Sequence, residues 1–371
     1  MDSHGSDARL RRSILFYTHA LAGGGAERVV ATLASGLAQR GHRVTLATDY
    51  AVADLEALID PAVQRLDLGR AHAGAILRLA RWLRRERPDM SISALGVSNL
   101  KHALAATLAG RGRHAVLSFH GYVDNEPGRL SYLGNSLAPL LARLTARCVF
   151  VSDDVKRAFC ARGVPMAVAL RIYNPVATPM AASPAPASGT ILGVGRLVPL
   201  KGFATLLDAV ARLGRPDRRL VILGEGPERA ALMAQAAQLG LADRLELPGW
   251  VADPAPFYAR AACFVCASRH ESFGNVLVEA LAHGVPVVAT DCGGPREILD
   301  DGRFGALVPV GDADAMAMAI SAAMANPGDP TPRRARAAAF TPAAALDAYE
   351  ALIEAVASEA SGKDRPPPRA S

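Results

Sequence analysis

Short β-like runs alternate with longer helical patterns along almost the whole chain, and this alternation restricts the fold more than any other feature. Residues 14–18 read as a strand, and Gly23, Gly24 and Gly25 follow it. A helical pattern then runs from about 26 to 39, Gly41 ends it, and 43–48 reads as the next strand. A strand, a glycine loop, a helix and a second strand imply a parallel crossover. Further strands are expected at 91–95, 115–120 and 148–152. At 177–188, ATPMAASPAPAS, small residues and three prolines read as an extended linker. The alternation then restarts, with strands expected at 190–194, 219–223, 244–247, 263–267 and 285–289 and helices at 202–213, 228–238 and 275–282.

A chain of 371 residues is long enough for two domains, each with its own core. The expected fold class is therefore α/β, with two Rossmann-like domains facing a cleft. The expected boundaries are 1–176 for the first domain, 177–188 for the linker and 189–342 for the second domain. Apolar residues make up 50% and charged residues 20%, ordinary globular usage. Five irregularly spaced cysteines exclude a disulfide scaffold and fit a reducing compartment. No run of 18 apolar residues occurs, which argues against a spanning helix. Arg9, Arg11 and Arg12 precede an apolar stretch, as in a secretory leader. Tyr17, Thr18, His19 and the glycines interrupt it, so the expected location is cytoplasmic. Residues 359–371 read as a disordered tail.

The charge is asymmetric. Residues 1–175 hold 23 Lys and Arg against 14 Asp and Glu, and the rest of the chain holds 18 against 21. An anionic partner for the first half follows. Nucleic acid fits poorly, because aromatics are only 5% and do not interleave with the basic residues. The stretch 76–87, ILRLARWLRRER, puts Ile76, Leu79, Ala80 and Leu83 on one helical face and crowds Arg78, Arg81, Arg84 and Arg85 around the rest. It reads either as a surface helix packed on the sheet or as a basic amphipathic helix meeting anionic lipid. The second reading gives a peripheral place at the inner face of the membrane.

In an open parallel sheet, ligands bind beyond the carboxyl ends of the strands. Gly24 and Gly25 lie there, before a helix whose N-terminus favours an anion. Arg196 and Lys201 lie at the first strand end of the second half, where a guanidinium fork and an ammonium can neutralise a diphosphate. Glu271 and Glu279 are eight residues apart, about 12 Å along a helix, too far for one acid/base pair. With Glu271 in the loop and Glu279 on the following helix, the two suit opposite ends of one extended ligand. The backbone amides of Phe273, Gly274 and Asn275 would form the helix's first turn, a seat for phosphate.

Taken together, Gly23 to Arg28, Gly195 to Gly202, Leu223 to Pro227 and Glu271 to Glu279 resemble the retaining GT-B glycosyltransferases of family four, the group that includes phosphatidylinositol mannosyltransferase. The resemblance covers about residues 13–340. It implies that Arg196 and Lys201 bind the donor diphosphate and that Glu279 holds the ribose hydroxyls. It implies that Glu271 contacts sugar hydroxyls near the reacting carbon, with Ser272, Phe273, Gly274 and Asn275 lining phosphate and sugar. Trp250 and Val251 would meet the nucleobase, and His120 would match the donor-sugar histidine. The implied reaction moves a hexose or N-acetylhexosamine from a nucleotide-diphosphate sugar, UDP by family frequency, to a glycan or lipid-linked saccharide. Two alternatives are a GT-B nucleotide-sugar epimerase and a noncatalytic nucleotide-sugar binding protein. The resemblance also implies that a C-terminal helix, 343–358, packs back on the first domain.

No essential metal or other cofactor is expected. Asp153 and Asp154 sit where a helix cap belongs, and Asp300 and Asp301 precede Gly302 as a turn. Cys263 and Cys266 have C-x-x-C spacing but lie in an apolar strand-like run without a second pair, as core thiols would.

Overall fold

The computed structural model describes residues 10–22, 24–50, 53–123, 128–177 and 189–363. The chain forms two compact units. The first runs to Val151, takes up Val155–Pro175, and regains the chain from Ala345; the second holds Ser152–Asp154 and Val176–Ala344. Of the expected linker, 177–188, residues 178–188 lie outside the described residues.

The first unit follows the order β1 (Ser13–Thr18), α1 (Gly25–Gln39), β2 (Arg43–Thr48), β3 (Gln64–Asp67), α2 (His72–Glu86), β4 (Met90–Ala94) and α3 (Gly96–Leu108). It continues with β5 (Ala115–Phe119), α4 (Arg129–Ser136), α5 (Ala138–Leu144), β6 (Arg147–Phe150), α6 (Asp153–Ala161) and β7 (Ala169–Arg171). The seven strands are parallel in the order β3-β2-β1-β4-β5-β6-β7. Strand β1 is an interior strand and is buried from Ile14 to Thr18, because a strand covered on both faces needs a continuous apolar run.

The second unit holds β8 (Thr190–Val194), α7 (Phe203–Arg212), β9 (Arg219–Leu223), α8 (Arg229–Gln238), β10 (Leu245–Gly249), α9 (Ala255–Arg260) and β11 (Cys263–Cys266). Then come α10 (Asn275–Ala282), β12 (Val287–Thr290), α11 (Gly294–Ile298), β13 (Ala306–Val308), α12 (Ala313–Ala325) and α13 (Thr331–Ala337); the last helix, α14 (Pro342–Lys363), returns to the first unit from Ala345. Its six strands are parallel in the order β10-β9-β8-β11-β12-β13. Strand order reverses direction at β1/β4 in one sheet and at β8/β11 in the other, the switch points where such sheets bind ligands.

The last helix, α14, lies in the core of the first unit. Leu346, Tyr349, Leu352, Ile353 and Val356 pack with Val29, Val30, Leu33 and Leu37 of α1. Each buried side chain of this kind contributes about 1.5–3 kcal/mol, as an upper estimate. Gly36 of α1 makes room, since a Cβ there would lie 2.6 Å from Leu346 Cδ1. Arg12 donates to both carboxylate oxygens of Glu354 at 2.9 and 2.6 Å, which fixes the angle of the helix. The helix is longer than expected. It runs to Lys363 with Ala360 buried, so residues 359–363 are helical rather than part of a tail. Residues 364–371 lie outside the described residues.

The other face of the first sheet is covered by α2 and α3. Ala75, Leu79, Ala80 and Leu83 of α2 are buried there, with Ile76 and Trp82 packed against them. The apolar face of the basic stretch is therefore spent on the sheet. Arg78 donates to the carbonyl of Leu68 at 2.5 Å and Arg84 to that of Leu108. Arg85 meets Glu86 at 2.9 Å, and Arg81 is exposed. Asp153 and Asp154 open α6, Asp300 and Asp301 form a left-handed turn at φ 51° and 53°, and Cys263 and Cys266 are buried thiols of β11.

Candidate active site

The functional residues of the second unit lie past the carboxyl ends of its central strands. After β8 the chain turns through Gly195 and Arg196 into a short helical turn, Pro199–Lys201. Gly202 closes it at φ 65°, so close to β11 that a Cβ would sit 2.0 Å from the Ala267 carbonyl oxygen. Only glycine fits there. This contact brings Lys201 to the chain after β11, and its ammonium donates to Glu271 Oε2 at 2.5 Å. Ser268 donates to the same oxygen at 3.1 Å. Both side chains are mostly buried, Lys201 at 20% and Glu271 at 16% exposure. Burial, the largest single effect, would lower the Lys201 ammonium, but the charge and hydrogen bond of Glu271 together with nearby Cys266 outweigh it and hold Lys201 above its ordinary value. The site therefore keeps a desolvated positive charge at neutral pH. Arg196 stands exposed on the same loop.

Glu271 lies in the loop, as the spacing suggests, bridged in parallel to Gly293. The N–H of Gly294 donates to the Glu271 carbonyl at 2.9 Å. A Cβ on Gly294 would approach the Phe273 carbonyl oxygen to 2.3 Å, so the segment Glu271–Phe273 is clamped onto the start of α11. Gly274 adopts φ 106° as it leads into α10, beside half-buried Ser272 and Asn275. Glu279 follows one turn up that helix. Its Oε2 accepts from the Tyr258 hydroxyl at 2.8 Å, and Tyr258 stacks on His283 at 5.1 Å between centroids. Burial and the Glu279 charge push the Tyr258 phenol well above its ordinary value, so it remains a donor. Tyr258 was not visible in the sequence pattern; it lies 21 residues from Glu279, on a different helix.

Glycines at three neighbouring strand ends fit against one another. A Cβ on Gly224 after β9 would lie 2.0 Å from the Gly195 carbonyl oxygen, and the Gly224 N–H donates to the Gly249 carbonyl at 2.8 Å. This packing sets Trp250, 70% exposed, and half-buried Val251 just past the Gly249 contact with the turn after β9.

In the first unit, Gly24 caps α1 and Gly25 begins it, with Glu27 in the first turn. Gly23 lies outside the described residues. Glu27 folds back on Gly24, where a Cβ would clash with its carboxylate, and burial raises the Glu27 carboxyl. His120 follows β5, with Nε2 3.0 Å from the Ser118 hydroxyl. Burial holds its imidazole down at about 4, so it is neutral at pH 7, an uncharged hydrogen-bonding group.

A second cluster in this unit escaped the sequence reading. Asp49, just past β2, is 0% exposed. Its carboxylate takes Lys101 Nζ at 2.5 Å, His19 Nδ1 at 2.5 Å and the Tyr17 hydroxyl at 2.9 Å. Burial would raise the Asp49 carboxyl, but these three partners pull it below its ordinary value. Tyr50 meets the His19 ring edge-on at 5.0 Å, and His72 lies 5.9 Å away. The outward side of His19 is thereby presented at the carboxyl end of β1. The members lie 30 and 52 residues from Asp49 in sequence, and no local motif joins them.

Comparisons with known proteins agree with this layout. The family model described as Glycosyltransferase Family 4 matches residues 23–178, and that described as Glycosyl transferases group 1 matches 188–326. The chain is 31% identical over 319 residues to phosphatidyl-myo-inositol mannosyltransferase of Mycolicibacterium smegmatis, covering 80% of each chain. It is 43% identical over 136 residues to lipopolysaccharide core biosynthesis glycosyltransferase LpsE of Rhizobium meliloti, but that match spans 37% of this chain and only 39% of the relative. The crystal structure of Anabaena HepE in complex with UDP and glucose shares the fold at a TM-score of 0.73 and 22% identity, covering 95% of this chain and 99% of that one. The chain belongs to the family-four glycosyltransferases of GT-B architecture.

Proposed function

We propose that the protein transfers a hexose or N-acetylhexosamine from a UDP-sugar, with retention of configuration, to a hydroxyl of a glycan or lipid-linked saccharide. The observation that carries this reading is the desolvated Lys201–Glu271 pair at the end of β8, with Arg196 on the same loop and Glu279 held by Tyr258 beyond it. Two cations and two carboxylates at the carboxyl edge of one sheet suit a diphosphate, a sugar and a ribose better than any other common ligand. Lys201 and Arg196 neutralise the leaving diphosphate, Glu279 takes the ribose hydroxyls, and Trp250 and Val251 meet the base. Glu271 holds Lys201 and contacts the sugar, with Ser272, Phe273, Gly274 and Asn275 around the phosphate. His120, neutral, donates or accepts at a sugar hydroxyl of the donor, and Gly24 and Gly25 give backbone amides to it. Neutralising the leaving group supplies most of the rate, and the leaving oxygen takes the acceptor proton in a front-face displacement. The chemistry asks for no metal.

The HepE crystal structure holds UDP and glucose, which supports UDP as the nucleotide. The names of LpsE and the mannosyltransferase support a lipopolysaccharide or lipid-linked acceptor. Among the described residues, no helix is long and apolar enough to cross a membrane. The test is incubation with UDP-glucose, UDP-galactose and UDP-N-acetylglucosamine, each with a panel of lipid-linked and glycan acceptors in EDTA. Transfer giving an α-linked product from the α-linked donor supports the reading; a β-linked product overturns retention. A donor converted to its epimer with no transfer overturns the reading altogether.

A further inference from the structure

We propose that a cavity at the amino edge of the second sheet is a binding site for a small monocarboxylate with an apolar body, separate from the donor residues. The cavity holds about 500 Å³, within the range of ~300–1,000 Å³ usual for small-molecule sites. Pro286 and Val287, where β12 begins, and Gly305 and Ala306, where β13 begins, line it. The two strands are parallel, with Val288 paired to Ala306 and Thr290 to Val308, so their amino ends lie side by side. Gly305 permits this approach, since a Cβ there would sit 2.8 Å from the Val287 carbonyl oxygen. Glu271 is bridged to Gly293, past the other end of β12. The cavity and the proposed donor residues therefore lie at opposite edges of one sheet.

Helix α12 forms one wall. Its Met316 and Ile320 are 0% exposed and fill the core. Ala319, Ala322 and Ala323 share another face by their spacing of three and four, and they line the cavity. Side chains of a single carbon leave open the volume that longer ones would fill. Half-buried Phe304 adds an aromatic surface.

Charge decides what the cavity takes. Arg333 of α13 lines it and is half-buried. Its Nε donates to the Gly284 carbonyl at 2.9 Å, which fixes the guanidinium and leaves its two terminal nitrogens as a fork. Among the described residues, no carboxylate forms an ion pair with it. Burial, the largest effect, and the charge of Arg334 pull the guanidinium below its ordinary value, and Asp329 and Cys263 offset them only in part. Arg334 itself has buried Nε and Nη2 without a hydrogen-bond partner among the described residues. A partly desolvated cation of this kind is stabilised by an anion that meets its fork. Exposed Arg303, whose guanidinium lies 5.3 Å from the Phe304 ring centroid, brings a second positive charge to the cavity. Asp329 also lines it, with Oδ1 accepting from the Thr331 N–H at 2.8 Å. Its charge repels a dianion more than a monoanion, which favours a carboxylate over a phosphate. The alanines and Phe304 then take the apolar body. The site stands independently of the proposed catalysis.

The test is saturation-transfer NMR of the full chain with 3-phenylpropionate, 3-phenylpropanol and phenyl phosphate, each without and with UDP. Phenylpropionate is expected to bind with about millimolar affinity, and the uncharged alcohol and the dianionic phosphate about tenfold more weakly. Arg333→Met removes the fork, and Ala322→Phe fills the cavity from an exposed position. Each is expected to weaken phenylpropionate binding about tenfold or more. Both variants should keep the wild-type thermal shift with UDP, so this site is read separately from the donor site. Wild-type protein that does not bind phenylpropionate overturns the proposal, as does binding that survives both variants or that the alcohol matches. Displacement by UDP would put the probe at the donor residues and overturn it too. Phenyl phosphate bound as tightly as phenylpropionate would overturn the choice of a carboxylate.

Discussion

Glu279 is one of the residues on which the proposed donor site turns, and the Tyr258 hydroxyl donates to it. Tyr258→Phe removes that donor while keeping the buried ring. It is expected to raise the donor KM several-fold to tenfold with little change in kcat, about one hydrogen bond to a charged group. Initial rates at varied UDP-sugar measure it, and an unchanged KM would release Glu279 from ribose binding. Lys201→Ala goes further, because it removes the buried cation and leaves the Glu271 carboxylate without its ammonium counter-charge. Turnover is expected to fall about a hundredfold or more. At this scale the sequence was informative where chemistry is carried by neighbours in the chain: Arg196, Lys201, Glu271 and Glu279 each stand at a strand end or on the helix beyond it. Tyr258 and the Asp49–Lys101–His19 network were invisible, because their partners come together only through the fold.

Elements were legible in proportion to how deeply they are buried. The central strands announce themselves as apolar runs, and β1, β8 and β11 lie within a residue or two of their expected bounds. The strands missed were β3, β7 and β13, all at sheet edges. Gln64–Asp67 has almost no buried face, so nothing in QRLD distinguishes it from a loop. The C-terminal helix carries a stability prediction of its own. Ile353 is 1% exposed in the core that α14 shares with α1. Ile353→Ala is expected to destabilise the fold by about 2–5 kcal/mol, measured by urea unfolding, although it lies near the chain end. A loss within about half a kcal/mol would mean that α14 is an appendage rather than core.

Across the whole molecule, pH should act through two buried neutral imidazoles. Burial holds His102 at about 3, its nitrogens shared with the hydroxyls of Ser93 and Ser91, and holds His120 at about 4. Unfolded, both take up a proton near pH 6.5. The unfolded chain therefore binds more protons below that value, and the stability present above it drains away as pH falls from about 6.5 toward 4 and 3. The melting temperature should decline across that window, and His102→Gln should decline less steeply. An equal slope in the variant would assign the acid sensitivity elsewhere.

The central claim is that Lys201 neutralises the donor diphosphate. The direct measurement is a thermal-shift titration of wild-type and Lys201→Ala protein with UDP, GDP, ADP and their common sugars, in EDTA. Ligand bound to the native state raises the melting temperature. A selective wild-type shift is expected with UDP and one of its sugars, and little or none in a folded Lys201→Ala protein. An equal shift in the variant, or no shift with any nucleotide sugar in the wild type, would contradict it.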